Sequence, residues 1–364
     1  MAKLYVISDF HADLYTQYAH PVDDNRYQNT RFKHQMEVLN DILRKSYIND
    51  ASIVFNGDLF NSRVDINQIV YTGVVSTITN WLPKFKDKGL TMYFLAGNHD
   101  QFDNTRTPAS SIDVFNEIAG FKDTAVSIDT PEQFNLDDYN LCFVPYSEDI
   151  DFLKDKINNS FYIDKDKKNW LFVHSGVEGA VQGKWNHRLG GAFNLSDLRY
   201  KEFDEVVLGH YHKRQKLADN VFYVGNTIPL NHNDDGQEKG YYILDTENPP
   251  RFVKVESPLF ETIDLSNTDL SSEEINESIK NNYVRVITSS KEDLDKLQEE
   301  SSKNGDNVSI AYKPELKDRT RLDIKEDSGV FDIVKAYSKS KGYSDGVTKI
   351  ALNVIQDVVE EGNE

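Results

Sequence analysis

Eight short apolar runs, rich in β-branched and aromatic residues, punctuate residues 1–260: "KLYVIS", "ASIVFN", "TMYFLA", "NLCFVPY", "NWLFVH", "EVVLGH", "VFYVGN" and "GYYILD". None alternates apolar with polar, so each suits a strand covered on both faces. Between the first two lies "RFKHQMEVLNDILRKSYIND", where Phe32, Met36, Leu39, Leu43 and Tyr47 recur at helical spacing. The alternation predicts an α/β chain with sheet layers flanked by helices. Pro249, Pro250 and Pro258 in "NPPRFVKVESPLF" break the rhythm and mark an expected boundary. Beyond it "NYVRVITS" and "NVSIAYKP" read as strands around a helix over "KEDLDKLQEESSKN", a small βαβ-like unit. The tail carries Val347, Ile350, Ala351, Val354, Ile355 and Val358 on one helical stripe. Three domains are expected: 1–260, 261–325 and a helical segment over 326–364.

Five of the runs end in a polar motif: "SDFH" with Asp9 and His11, "NGD" with Asp58, "GNHD" with Asn98, His99 and Asp100, "VHSG" with His174, and "GHYH" with His210 and His212. If the runs are strands, every motif lies just past a carboxyl end, where open α/β sheets place their ligands. Residues two apart in extended chain face the same way, so Asp-x-His and His-x-His can each aim two groups at one centre. Five of the nine histidines fall in these motifs; His20, His34, His187 and His232 do not and read as ordinary surface or core residues.

The residue types suit a pair of divalent metals. Two such ions bring four positive charges against the two negatives of Asp9 and Asp58, leaving a net positive site fit for a phosphate diester. Mixed carboxylate, imidazole and amide donors favour manganese, iron or zinc over calcium or magnesium. Two ions about 3.5–4 Å apart can polarise a phosphoryl oxygen and lower the pKa of an attacking water. His99 neighbours Asn98 but projects elsewhere, so it can protonate a departing oxygen, with Asp100 expected to orient its ring.

Composition limits the partners. The net charge is −19, from 60 acidic and 41 basic residues, which argues against gripping a polyanion with the whole surface. Local basic clusters are the alternative: Lys213, Arg214 and Lys216 in "HKRQK", and Lys313, Lys317, Arg319 and Arg321 in "YKPELKDRTR". Of these, Lys213, Arg214, Lys313, Arg319 and Arg321 are the candidate DNA contacts. No apolar run approaches a membrane span, and Asp9 comes too early for a signal peptide. A single cysteine, Cys142, forbids an internal disulfide and suits a reducing cytoplasm.

In their order and identity the five motifs resemble the signature of the calcineurin-like metallophosphoesterase superfamily over residues 1 to about 245. Within it, "NGDLFNSR", "GNHDQF", "LGHYHKR" and "FYVGNTIPLNHNDDGQEKGYYILD" are similar to the SbcD-type nucleases, especially their shorter phage versions. The resemblance implies a metallophosphoesterase fold with a small α+β capping domain and C-terminal helices. It implies that Asp9, His11, Asp58 and His212 hold one manganese, and that Asp58 bridges to a second held with Asn98, His174 and His210. His99 takes the leaving-group role. It further implies 3′ exonuclease action on duplexes and endonuclease action on single strands, a coiled-coil ABC ATPase of the SbcC class as partner, a nuclease homodimer, and a cytoplasmic setting, the host's if phage-encoded. Asn61 stands where some members carry a second histidine, a departure that bears on the balance of the two activities. Other readings on the same scaffold are a cyclic-nucleotide phosphodiesterase and a protein phosphatase. Phosphatases usually read Gly-Asn-His-Glu, against Asp100 here, and cyclic-nucleotide enzymes typically lack a second domain.

Overall fold

The computed structural model describes residues 2–361 except 25, 104–107, 184–186, 189–191, 296, 298–307 and 314–328. All eight apolar runs form strands. In the first sheet β1 (Lys3–Ile7), β2 (Ser52–Asn56), β3 (Met92–Leu95) and β4 (Ala125–Ile128) run parallel, and β13 (Gly240–Asp245) and β14 (Arg251–Lys254) close the other edge antiparallel. The second sheet has the order β11 (Gln215–Ala218), β12 (Val221–Tyr223), β10 (Glu205–Gly209), β7 (Lys168–His174), β6 (Tyr139–Val144), β5 (Glu132–Asn135). Its four central strands are parallel and its two edges antiparallel. A two-residue pairing, β8 (Val181–Gln182) with β9 (His187–Arg188), stands apart.

The sheets face each other. Leu4 and Val6 of β1, Val54 of β2 and Leu95 of β3 pack in one core with Leu141 and Phe143 of β6, Trp170 and Phe172 of β7 and Val207 of β10. The alternate residues Tyr5, Ile7, Ile53 and Phe55 point outward beneath helices α1 (Thr30–Ile48), α2 (Gln68–Thr79) and α3 (Leu82–Asp87). Leu171, Val173, Val206 and Leu208 do the same beneath α4 (Ile150–Asn159) and the short helical turns after it. Strands covered on both faces explain why the runs lack polar alternation. Each large side chain buried this way contributes about 1.5–3 kcal/mol. The α1 stripe behaves as its spacing predicts, with Phe32, Met36, Leu39 and Leu43 buried, and Asn29 caps its first turn by accepting from the Phe32 amide. Cys142 is buried in the second outer core, where burial pushes its thiol up to about 12.

A third, smaller sheet has the order β15 (Phe260–Asp264), β16 (Tyr283–Thr288), β17 (Val308–Tyr312), with α5 (Ser272–Asn281) between the first two. The sequence anticipated β16 and β17 but not β15, whose "FETID" carries too few apolar residues to signal a strand. The helix expected over 291–304 lies mostly outside the described residues. Phe260 and Tyr283 clasp Tyr18, and the Arg31 guanidinium lies 5.1–5.2 Å from both of their rings and 4.5 Å from Tyr15. The small sheet is therefore packed on the main body by an aromatic and cationic seam, with His232 hydrogen-bonded to Tyr18 at 2.7 Å.

The chain forms two compact units, Met1–Ala311 and Tyr312–Glu364. In the second, α6 (Val330–Lys341) and α7 (Asp345–Glu361) pack against each other. Ile333, Tyr337, Val347, Ile350 and Val354 on these helices are exposed. Among the described residues no helix is long and apolar enough to cross a membrane.

Candidate metal centre

The five polar motifs emerge at the carboxyl ends of β1, β2 and β3 in the first sheet and of β7 and β10 in the second. The loops after β1 and β2 are laced together, with the Asp9 amide donating to the Gly57 carbonyl and the His11 amide to the Asp58 carbonyl, both at 3.0 Å. This lacing bends the backbone. Asp9, His11, Asp58 and His210 all have positive φ, at 48°, 46°, 54° and 95°. For residues with a Cβ that conformation costs about 1–2 kcal/mol each, and its concentration here marks the loops as shaped for their side chains rather than for chain economy.

Two glycines make the convergence possible. Gly57 has φ +88°, and a side chain there would run into the His174 ring. A Cβ on Gly97 would collide with the Asp58 carboxylate and amide. The glycine that ends the third apolar run is thus the contact point between two motif loops.

The donors form overlapping clusters. Asp9, His11 and His212 make one, Asp58, His174 and His210 a second, and His11, Asp58 and His99 a third, with donor atoms in each within 4.8 Å. Asn98 joins the second through its side-chain oxygen, 2.9 Å from His210 Nδ1. His11 Nε2 and His212 Nε2 face each other at 3.0 Å. Asp58 Oδ2 lies 3.6 Å from His11 Nε2 and 3.3 Å from His174 Nε2. All seven sequence-predicted donors are thus brought to one rim, with Asp58 within reach of both His11 and His174.

Several observations fit this cage to divalent cations. The Nε2 atom of His174 is buried without a well-formed hydrogen bond, its nearest neighbour being Asp58 Oδ2 at 3.3 Å, which is costly unless something else meets it. Asp9, Asp58 and His174 are almost fully buried. Burial pushes Asp9 above the usual carboxylate range and drives His11 down to about 3 and His210 to about 4. Burial opposes charge on His174 too, yet the Asp58 carboxylate overrides it and lifts His174 to about 9; Asp58 is correspondingly held low. A buried carboxylate that must borrow a proton on a neighbouring imidazole for charge balance is a place where a metal ion fits, since metal binding displaces protons from its ligands.

Other groups brace the donors. The His174 ring is oriented by Nδ1 donating to the Asn56 carbonyl at 2.8 Å. The amides of His210 and His99 donate to Asp9 and Asp58. Around them are residues the motif reading missed. Tyr15 hydroxyl donates to the His11 carbonyl at 3.0 Å, Lys239 Nζ to the His212 carbonyl at 2.9 Å, and Arg63 Nε to the Asn98 carbonyl at 2.6 Å. The Tyr146 ring stacks on His210 at 5.8 Å. Lys239 and Arg63 lie within the "QEKG" and "NSR" segments, but contacts to main-chain carbonyls leave no sequence pattern.

One expectation needs correction. Asp100 does not orient His99. Its carboxylate accepts from the Gly97 and Phe60 amides, pinning the loop, and burial beside Asp58 pushes it up to about 7. His99 Nδ1 instead donates to the Asn61 carbonyl at 2.6 Å. The tight Gly-Asn-His-Asp turn folds the Asp100 side chain back on its own amides, so the adjacent loop must supply the ring's partner. Asn61 also donates from its side chain to Asp13 at 2.7 Å.

The candidate DNA contacts have differing settings. Lys213 and Arg214 follow His212 directly, but Arg214 pairs with Glu238 at 3.0 Å and lies 4.2 Å over the Phe252 ring. That exposed pair is worth about 1 kcal/mol or less and is readily traded for a phosphate. Lys313 is exposed just past β17, while Arg319 and Arg321 lie outside the described residues.

Two facing sheets, helices outside them and a cage of aspartate, asparagine and histidine at their shared rim define a metal-dependent phosphoesterase. Residues 2–214 match the calcineurin-like phosphoesterase family, and the chain belongs to it. Over 303 residues it is 24% identical to the SbcD component of the nuclease SbcCD from Staphylococcus epidermidis, covering 77% of each chain. Over 198 residues it is 23% identical to exonuclease subunit 1 of Enterobacteria phage T4, covering 52% of each.

Proposed function

We propose that this phosphoesterase is a DNA nuclease, cleaving phosphodiesters at 3′ ends of duplexes and within single strands, as the catalytic component of a complex with an SbcC-type ABC ATPase. The observation that carries the reading is the double donor cluster joined at Asp58, together with the nuclease names of the two relatives. Asp9, His11, Asp58 and His212 would hold one divalent ion, and Asp58, Asn98, His174 and His210 the other; the donor chemistry favours manganese. When bound, such a pair supplies positive charge for the phosphoryl group and acidity for water.

The chain's own groups do the rest. His99 spends its Nδ1 proton on the Asn61 carbonyl, so a proton it passes to the leaving oxygen must come from Nε2, with the ring doubly protonated beforehand. Asp100 fixes the turn that presents both Asn98 and His99. The acidic surface repels DNA elsewhere and leaves the positive site as the point of entry. In this reading residues 261–325 cap the site, and the helices within 326–364 dock their exposed stripe on the ATPase. The nuclease then works as a homodimer in the cytoplasm.

The test uses end-labelled duplex and circular single-stranded DNA with manganese, with and without the ATPase, beside His99→Ala. Cyclic nucleotides and a phosphopeptide run in parallel. Metal-dependent DNA cleavage that His99→Ala lowers about 10²–10⁴-fold supports the assignment. Preferential turnover of cyclic nucleotide or phosphopeptide overturns it, and full activity in the alanine variant removes His99 as proton donor.

A further inference from the structure

Arg31, Arg63, Arg251 and Arg285 show no carboxylate partner among the described residues, and of these four Arg63 alone hydrogen-bonds a candidate metal donor. Arg26, Arg44, Arg199 and Arg214 each hold a carboxylate, Asp24, Asp41, Glu202 and Glu238 respectively. Arg63 holds none among the described residues, although it is only partly buried and acids outnumber bases 60 to 41. Its one hydrogen bond runs from Nε to the Asn98 carbonyl at 2.6 Å. That contact anchors the guanidinium plane at its inner nitrogen and leaves the two outer nitrogens, with four N–H groups, uncommitted.

The anchor also locates the group. Asn98 touches His210 through its side chain, and the Tyr146 ring stacks on His210. Arg63, Asn98, His210 and Tyr146 therefore share one wall of the candidate metal centre. His99 follows Asn98 directly in the chain, so the loop that seats Arg63 also carries the proposed proton donor.

We propose that Arg63 is a substrate-contacting residue that takes the non-bridging oxygens of a phosphodiester with its two outer nitrogens. This rests on the phosphodiesterase reading and specifies how the diester is gripped. A planar fork held at one corner is preorganised for two parallel bonds to phosphate, and each such charge-assisted bond is stronger than a neutral one. Nucleic acid backbone is the anion that the site would meet repeatedly along a strand, and one arginine at the wall would hold it in register with His99.

The experiment compares Arg63→Gln, Arg63→Lys and Arg63→Ala in the full chain, each checked for folding by thermal melting. Three quantities are read: kcat/KM on an oligonucleotide, manganese affinity by calorimetry, and binding of a labelled single strand by anisotropy. Arg63→Gln is expected to lower kcat/KM about 10- to 100-fold and to weaken strand binding, with manganese affinity unchanged. Lysine restores part of the loss because it keeps the charge without the fork. Added guanidinium ion raises the activity of Arg63→Ala, which a bracing role does not predict. Wild-type kcat/KM in Arg63→Gln overturns the inference and leaves the nuclease reading standing. A parallel fall in manganese affinity also overturns it, making Arg63 a brace for Asn98. A wild-type chain that cleaves no phosphodiester overturns both.

Discussion

The buried pair of Lys239 and Asp234 offers the sharpest energetic test of how the site is supported. Their side chains are 2% and 3% exposed and 2.7 Å apart. Lys239 Nζ also donates to the His212 carbonyl and to Gln237, so its three protons are all used. Asp234 additionally accepts from the Leu230 amide and Asn226. Removing one partner of such a pair strands a charge in the interior and costs about 3–5 kcal/mol, whereas replacing both with apolar groups costs much less. Against a typical total of about 5–15 kcal/mol, either single variant is severe.

Asp234→Ala and Lys239→Met are therefore each expected to lose about 3–5 kcal/mol in guanidinium unfolding with EDTA present, at unchanged m-value. The double variant should lose less than the sum, by about 0.5–3 kcal/mol. Chelator is essential because a ligand bound only by the folded state would mask the loss. Burial would raise Asp234, but Lys239 and its hydrogen bonds hold it below the usual carboxylate range. A folded pKa below the unfolded one means that this stabilisation is full above about pH 4 and disappears as pH falls through the lowered value. Strict additivity, or single variants within about 0.5 kcal/mol of wild type, would refute the reasoning.

Three further outcomes follow from other parts of the molecule. Burial, with Asp204 adding to it, raises Glu205 to about 7; the folded state then keeps a proton that the unfolded chain releases, and stability falls as pH rises from about 4.5 to 7. Glu205→Gln should accordingly melt higher than wild type at pH 8 and show no advantage at pH 4; a gain at pH 4 equal to that at pH 8 contradicts this. Gly97→Ala forces a methyl group onto Asp58 and should destabilise by about 1–3 kcal/mol while weakening manganese binding, measured by melting and calorimetry; unaltered metal affinity in a folded variant counts against the close approach. Deleting residues 328–364, which form most of the second compact unit, should abolish co-purification with the ATPase while metal-dependent cleavage persists, and retained association removes the docking assignment.

The sequence carried the eight main strands and the polar side chains that meet at their shared rim because both leave local marks. A strand covered on two faces must be apolar throughout, and a loop that meets an ion must carry oxygen or imidazole nitrogen. Other features left weaker traces. The edge strands β5, β11 and β14 alternate or are polar, since one side faces solvent. That the strands divide into two facing sheets depends on which apolar faces meet, which single runs do not specify. The groups around the donors were hidden for a different reason: Tyr15, Arg63 and Lys239 contact main-chain carbonyls, which every residue has. Asp100 shows the opposite error. A carboxylate beside a histidine invites pairing in one dimension, while a tight turn in three dimensions sends it back to its own amides.

The donor groups are shared between the two sheets: Asp9, His11, Asp58 and Asn98 ride on one, His174, His210 and His212 on the other. Neither half carries the whole set of seven, and the last of them, His212, lies at position 212 of 364. A growing polypeptide leaving the ribosome thus cannot complete the cage until the strand before His212 has emerged and docked. A truncated translation product ending before that point lacks part of the donor set.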